Sequence, residues 1–141
     1  MASYLEKKLN DLVNLSLTNG VQPSDLADNI FLSEYNQIAF KKNKDSIVGE
    51  LKFNETISKN TEEIILRYYY SSEGKVLSIE EEIRGRVVVV WDRTFTESQL
   101  VAEILSAMEG NYSKSQIKSF IQTLPANLQD KLRANSDRIL G

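Results

Sequence analysis

Between Ile47 and Trp91 the chain sets apolar residues at every second position, in runs parted by only a few residues of turn chemistry. Side chains of an extended strand alternate between two faces, so a period of two marks a half-buried strand. Ile47, Gly49, Leu51, Phe53 and Ile57 alternate with Val48, Glu50, Lys52 and Asn54, and Asn54–Asn60 supplies turn residues. Ile64–Tyr70 is β-branched and aromatic, a composition that suits a pleated surface. Ser71-Ser72-Glu73-Gly74 reads as a tight hairpin loop, with glycine where positive φ is needed. Val76–Arg84 follows, with Leu77, Ile79 and Ile83 on one face and Glu80 and Glu82 on the other. Gly85 breaks it, and Arg86–Trp91 completes the block. Connections this short cannot carry a parallel crossover, so the strands are expected to form an antiparallel meander.

On both sides of this block the period lengthens to three and four. Leu5, Leu9, Leu12, Val13 and Leu17 make one apolar helical face, opened by the capping-box pair Ser3 and Glu6 and closed by Gly20, with Pro23 as a stop beyond it. Thr96 and Gln99 repeat the capping spacing ahead of Leu100, Val101, Ile104, Leu105 and Met108, and Gly110 ends that helix. Ser113–Leu124 and Ala126–Leu140 read as two further helices split at Pro125. Ser24 can cap a short helix running to Asn29, whereas Ile30–Phe40 fits helix and strand equally well. Gly20–Ala27 and Ser33–Lys42 share the outline of a helix-turn-helix, but Asn29-Ile30-Phe31-Leu32 stands where its turn glycine belongs. The expected fold is α+β: an N-terminal helix, an antiparallel β-meander of about four strands, and two to three C-terminal helices packed on the sheet. With no repeat and no long linker, the 141 residues are expected to form a single domain.

The chain contains no cysteine and no histidine. Disulfides, thiol nucleophiles, sulfur-ligated zinc or iron, and every serine–histidine or cysteine–histidine catalytic unit are therefore excluded. Any metal would need oxygen ligands, and neither a metal nor another cofactor is expected. Glu6 and Asp11 interrupt the place where a signal peptide would carry its apolar core, and no stretch approaches the roughly 18–20 apolar residues of a membrane helix, so a cytoplasmic protein is expected. Charge is uneven: residues 50–109 carry 7 basic and 12 acidic side chains, and residues 110–141 carry 5 and 2. An acidic middle argues against a nucleic-acid surface on the sheet.

Several side chains could do more than fold the chain. Val87–Val90 lacks alternation, which suits a central strand covered on both faces; the sharper reading is a face that meets another subunit or a ligand. Tyr68 and Tyr70 share a face opposite Tyr69 and Arg67, as core-margin residues or as partner or ligand contacts. Within Glu80-Glu81-Glu82, Glu81 falls among the apolar set and, if turned inward, needs a partner such as Arg67. Arg84 and Arg86 flank a hairpin glycine and can grip a carboxylate or phosphate, though no phosphate-binding loop motif is present. These features favour a non-enzymatic protein-binding module, an adaptor, regulator or small chaperone acting as a homodimer. The competing reading is a small-molecule binder with an apolar pocket between sheet and C-terminal helices, lined by Tyr68, Tyr70, Trp91 and Phe120. A third is a magnesium-dependent or carboxylate-based enzyme using Glu80 or Glu82 with Arg84.

Overall fold

A computed structural model describes residues 2–124, 126 and 128–130. The expected Ser3 cap, the break at Pro125 and most of the helix drawn through Leu140 lie outside the described side chains and residues. Two compact units make up the chain: Thr18–Thr94, and the residues up to Leu17 together with those from Phe95 onward.

The first unit is built on a five-stranded antiparallel sheet in sequential order, β1 (Tyr35–Lys42), β2 (Ile47–Ile57), β3 (Asn60–Tyr70), β4 (Val76–Ile83) and β5 (Arg86–Asp92). The meander therefore has five strands rather than about four. The additional strand, β1, is the segment whose short apolar run suits helix and strand alike, and pairing decides it: Ile38 lies opposite Leu51 and Phe40 opposite Gly49. A strand at Tyr35–Lys42 also removes the second helix of the helix-turn-helix outline. Ahead of the sheet come a short helix, α2 (Pro23–Ala27), and a 3₁₀ turn (Asp28–Phe31). Pro23 is the first residue of α2 rather than a stop, a position where its missing N–H costs nothing, and the Asp25 carboxylate accepts from the Gln22 N–H at 3.1 Å.

Register assigns the two faces. Phe53–Ile64, Leu51–Leu66, Gly49–Tyr68 and Ile47–Tyr70 are directly opposed pairs of β2 and β3 and share one face. Leu26 of α2, Leu51, Tyr70 and Val76 are buried there, with Tyr35, Ile38, Ile47, Leu66, Tyr68, Ile79 and Trp91 packed around them. A register shift opposite Tyr69 and Tyr70 reverses the expectation for the start of β4: Val76 is buried and Leu77 is exposed. Two hairpin loops have only two residues, and in both the two residues have positive φ: Ser58 and Lys59 between β2 and β3, Arg84 and Gly85 between β4 and β5. That handedness matches the twist of the flanking strands. The turn chemistry expected over Asn54–Asn60 therefore contracts to Ser58-Lys59, with strand on either side.

The second unit contains α1 (Ala2–Leu17), α3 (Arg93–Glu109) from Phe95 onward, and α4 (Lys114–Ile121). Leu12, Val101, Ile104, Leu105, Met108, Ile117, Ile121 and Leu128 form its buried core, and Lys8 pairs with Glu103 at 2.6 Å between α1 and α3. Because α3 starts directly after β5, Thr96 sits inside the helix rather than at its N-cap; Asp92, a residue type favoured there, immediately precedes it. Ser113 does cap α4, accepting from the Gln116 N–H at 3.2 Å while Gln116 Oε1 accepts from the Ser113 N–H at 2.9 Å.

Candidate functional site

The most distinctive surface is the outer edge of β5. Val87, Val88, Val89 and Val90 are 47%, 46%, 59% and 51% exposed, so this strand is the rim of the sheet and not its centre. The expectation of cover on both faces fails because the unbroken apolar run arises at an edge, where both faces and one flank remain open. Val87 and Val89 lie opposite Glu82 and Glu80, and Val88 lies opposite Glu81. Val90 is the extra residue of an irregularity, since Glu80 pairs with Val89 and Ile79 with Trp91. Arg86–Val89 is thus a regular edge whose outward N–H and C=O groups have no strand beyond them among the described residues.

The opposite rim has different chemistry. β1 carries Asn36, Gln37, Lys41 and Lys42, and its register shifts between Tyr35 and Gln37. Charge and bulging are the usual means by which an edge resists further pairing.

At the β4–β5 turn, Glu81, Ile83, Arg84, Arg86 and Val88 line an open concavity of about 510 Å³. Arg84 is engaged: its Nε donates to Glu62 Oε1 at 2.9 Å, its Nη2 reaches the same oxygen, and the guanidinium holds the Glu62 carboxyl below the usual carboxylate range. Glu81 shares the apolar face with Ile79 and Ile83, as its place in the sequence suggests. Arg67 is not its partner. Opposed to Glu80, Arg67 projects from the other face, where its Nε donates to Glu50 at 2.9 Å and its Nη1 to Glu82 at 3.3 Å. One guanidinium thereby joins acids of β2 and β4 across β3, and Glu82 serves as part of this ladder.

The aromatic candidates divide between the units. Tyr70 is only 1% exposed, and its hydroxyl donates to the Val21 carbonyl at 2.8 Å; it is a core residue, not part of an exposed rim. Burial pushes its phenol up to about 12. Tyr68 is half-buried beside it, also raised by burial, while Tyr69 on the other face is raised first by its hydrogen bond to Glu80. Trp91 packs at the margin of the same cluster, with the Arg93 guanidinium 5.5 Å from its ring centre. Phe120, on α4, packs against the helical core of the other unit. Sequence reasoning overlooked the Ile30-Phe31-Leu32 turn, where Phe31 is 87% exposed. Three adjacent apolar residues in a segment that fits neither period better than the other were the available signal.

Among the described residues no group of three carboxylates is placed to hold a metal ion, and no helix is long and apolar enough to cross a membrane. Comparison with family models, with curated proteins and with solved structures finds no match to the chain. The fold and site therefore define a class only: an α+β protein with an antiparallel meander and one open valine edge.

Proposed function

We propose that the chain is a cytoplasmic, non-enzymatic protein-binding module, an adaptor, regulator or small chaperone, that acts as a homodimer. The observation that carries this reading is the exposure of Val87–Val90 on the edge strand β5. An apolar strand edge offers a ready ladder of main-chain donors and acceptors, and a partner strand placed there buries the valines at the same time. The contrast with β1, shielded by lysines and a register shift, supports the same reading. Carboxylate chemistry has less support, because Arg67 already holds both Glu50 and Glu82 in ion pairs and Arg84 is engaged by Glu62.

Sedimentation velocity across micromolar concentrations tests the proposal. The native chain is expected to pass from monomer to dimer, and Val88→Lys to remain monomeric while keeping its circular dichroism. Lys41→Glu on β1 should leave the association unchanged. A native chain that stays strictly monomeric throughout ends the homodimer reading.

A further inference from the structure

We infer that the second copy pairs with β5 itself, antiparallel, with the twofold axis passing beside Val88, so that two five-stranded sheets join into one of ten strands. This rests on the reading of β5 as a protein-binding edge and adds the partner's direction and register. In an antiparallel pair, directly opposed residues project from the same face. A twofold axis perpendicular to the sheet keeps each face on its own side. The axis must therefore fall at a residue and not between two, which leaves Val87, Val88 or Val89 as centres of the valine run.

The three registers differ in what they bring together. Centring on Val88 sets Val87 against Val89 of the second copy, so the three valines of the regular edge pair with one another and the irregular Val90 lies beyond them. Centring on Val89 sets Val88 against Val90, the extra residue of the β4–β5 irregularity, and carries the ladder through that distortion. Centring on Val87 sets Val90 against Arg84, a turn residue with positive φ. Charge separates them further. With Val88 central, the basic turn Arg84-Gly85-Arg86 runs past the end of the ladder alongside Trp91 and Asp92 of the second copy. Symmetry repeats this contact at the other end, so each chain contributes a basic and an acidic end to a self-complementary edge. Opposite charges placed this way fix register more than they add affinity. A pairing centred on so short a regular edge is a small interface, at the low end of known sizes, and dissociation near the micromolar range is expected.

The absence of cysteine makes the register directly readable, because an introduced thiol is the only one in the chain. Opposed residues have Cβ atoms about 4.5–5.5 Å apart and diagonal neighbours roughly 7–8 Å. Under mild oxidation at concentrations where the native chain sediments as a dimer, Val88→Cys should cross-link to itself several-fold faster than Val87→Cys or Val89→Cys. An equal mixture of Val87→Cys and Val89→Cys should cross-link faster than either alone. Self-cross-linking that peaks at Val87 or Val89 overturns the register while leaving β5 as the interface. Cross-linking at none of the three positions, in a chain that still sediments as a dimer, moves the contact away from β5. A strictly monomeric native chain overturns both this inference and the homodimer reading.

Discussion

Tyr70 shows how one buried residue couples stability to pH. Its ring fills the sheet-side core and its hydroxyl satisfies the Val21 carbonyl, so the protonated phenol is the form that fits. An unfolded tyrosine loses its proton near pH 10, whereas Tyr70 holds its proton to about 12. Between those values the unfolded chain has released a proton that the folded chain retains, so the contribution of Tyr70, fully present below pH 10, is lost as pH rises. Urea titrations from pH 8 to 11.5 should show this decline, and Tyr70→Phe should make it shallower. At pH 8 the same substitution should cost about 1 kcal/mol, the net worth of one hydrogen bond. Of the residues singled out from sequence, Glu81 falls on the expected face because alternation is a local property. The partner of Arg67 was not legible, because Glu50 and Glu82 are 17 and 15 residues away and only strand register brings them alongside.

At the scale of elements, the β2–β3 hairpin turns through two residues poorly suited to it. Ser58 and Lys59 both have positive φ, a conformation that asparagine and glycine adopt at little cost. Replacing Ser58-Lys59 with Asn-Gly should stabilise the chain by roughly 0.5–1 kcal/mol and raise Tm by a few degrees. The measurement is calorimetry on native and substituted chains, and an unchanged or lower Tm would count against the strain assigned to this turn. Gly85 already meets the requirement at the β4–β5 turn, where φ is 78° and nothing stands within contact of an added Cβ. Gly85→Ala there should cost about 1 kcal/mol from backbone conformation alone, without a packing defect. β5 is the element whose role the sequence misstated. An unbroken valine run means that no face of the strand is reserved for water, which holds for a covered central strand and equally for an edge awaiting a partner.

For the molecule as a whole, the chain enters the sheet unit at Thr18 and leaves it after Thr94, and a single side chain ties those two places together. Arg93 Nε donates to the Val76 carbonyl at 2.7 Å, and its Nη2 to the carbonyls of Thr18 at 3.1 Å and Asn19 at 3.4 Å. The Val76 N–H in turn donates to Asn19 at 2.8 Å, which fixes the incoming segment along β4. Arg93→Met keeps much of the apolar stem beside Trp91 but removes these donors, and should lower unfolding free energy by about 1.5–3 kcal/mol in urea titration. A loss below a few tenths would assign Arg93 no structural part.

The sequence by itself determined which segments are helix and which are strand wherever the apolar period was long. It also determined that the strands from Ile47 onward follow one another antiparallel, because period and loop length are properties of neighbouring residues. Absent cysteine and histidine likewise set limits that no folding could alter. Tertiary structure decided that Tyr35–Lys42 joins the sheet, that Tyr70 is sealed inside, that Arg67 binds Glu50 and Glu82, and that the four valines stand at a rim. Each of these depends on which strands lie side by side, and a strand's own residues do not record whether it has one neighbour or two.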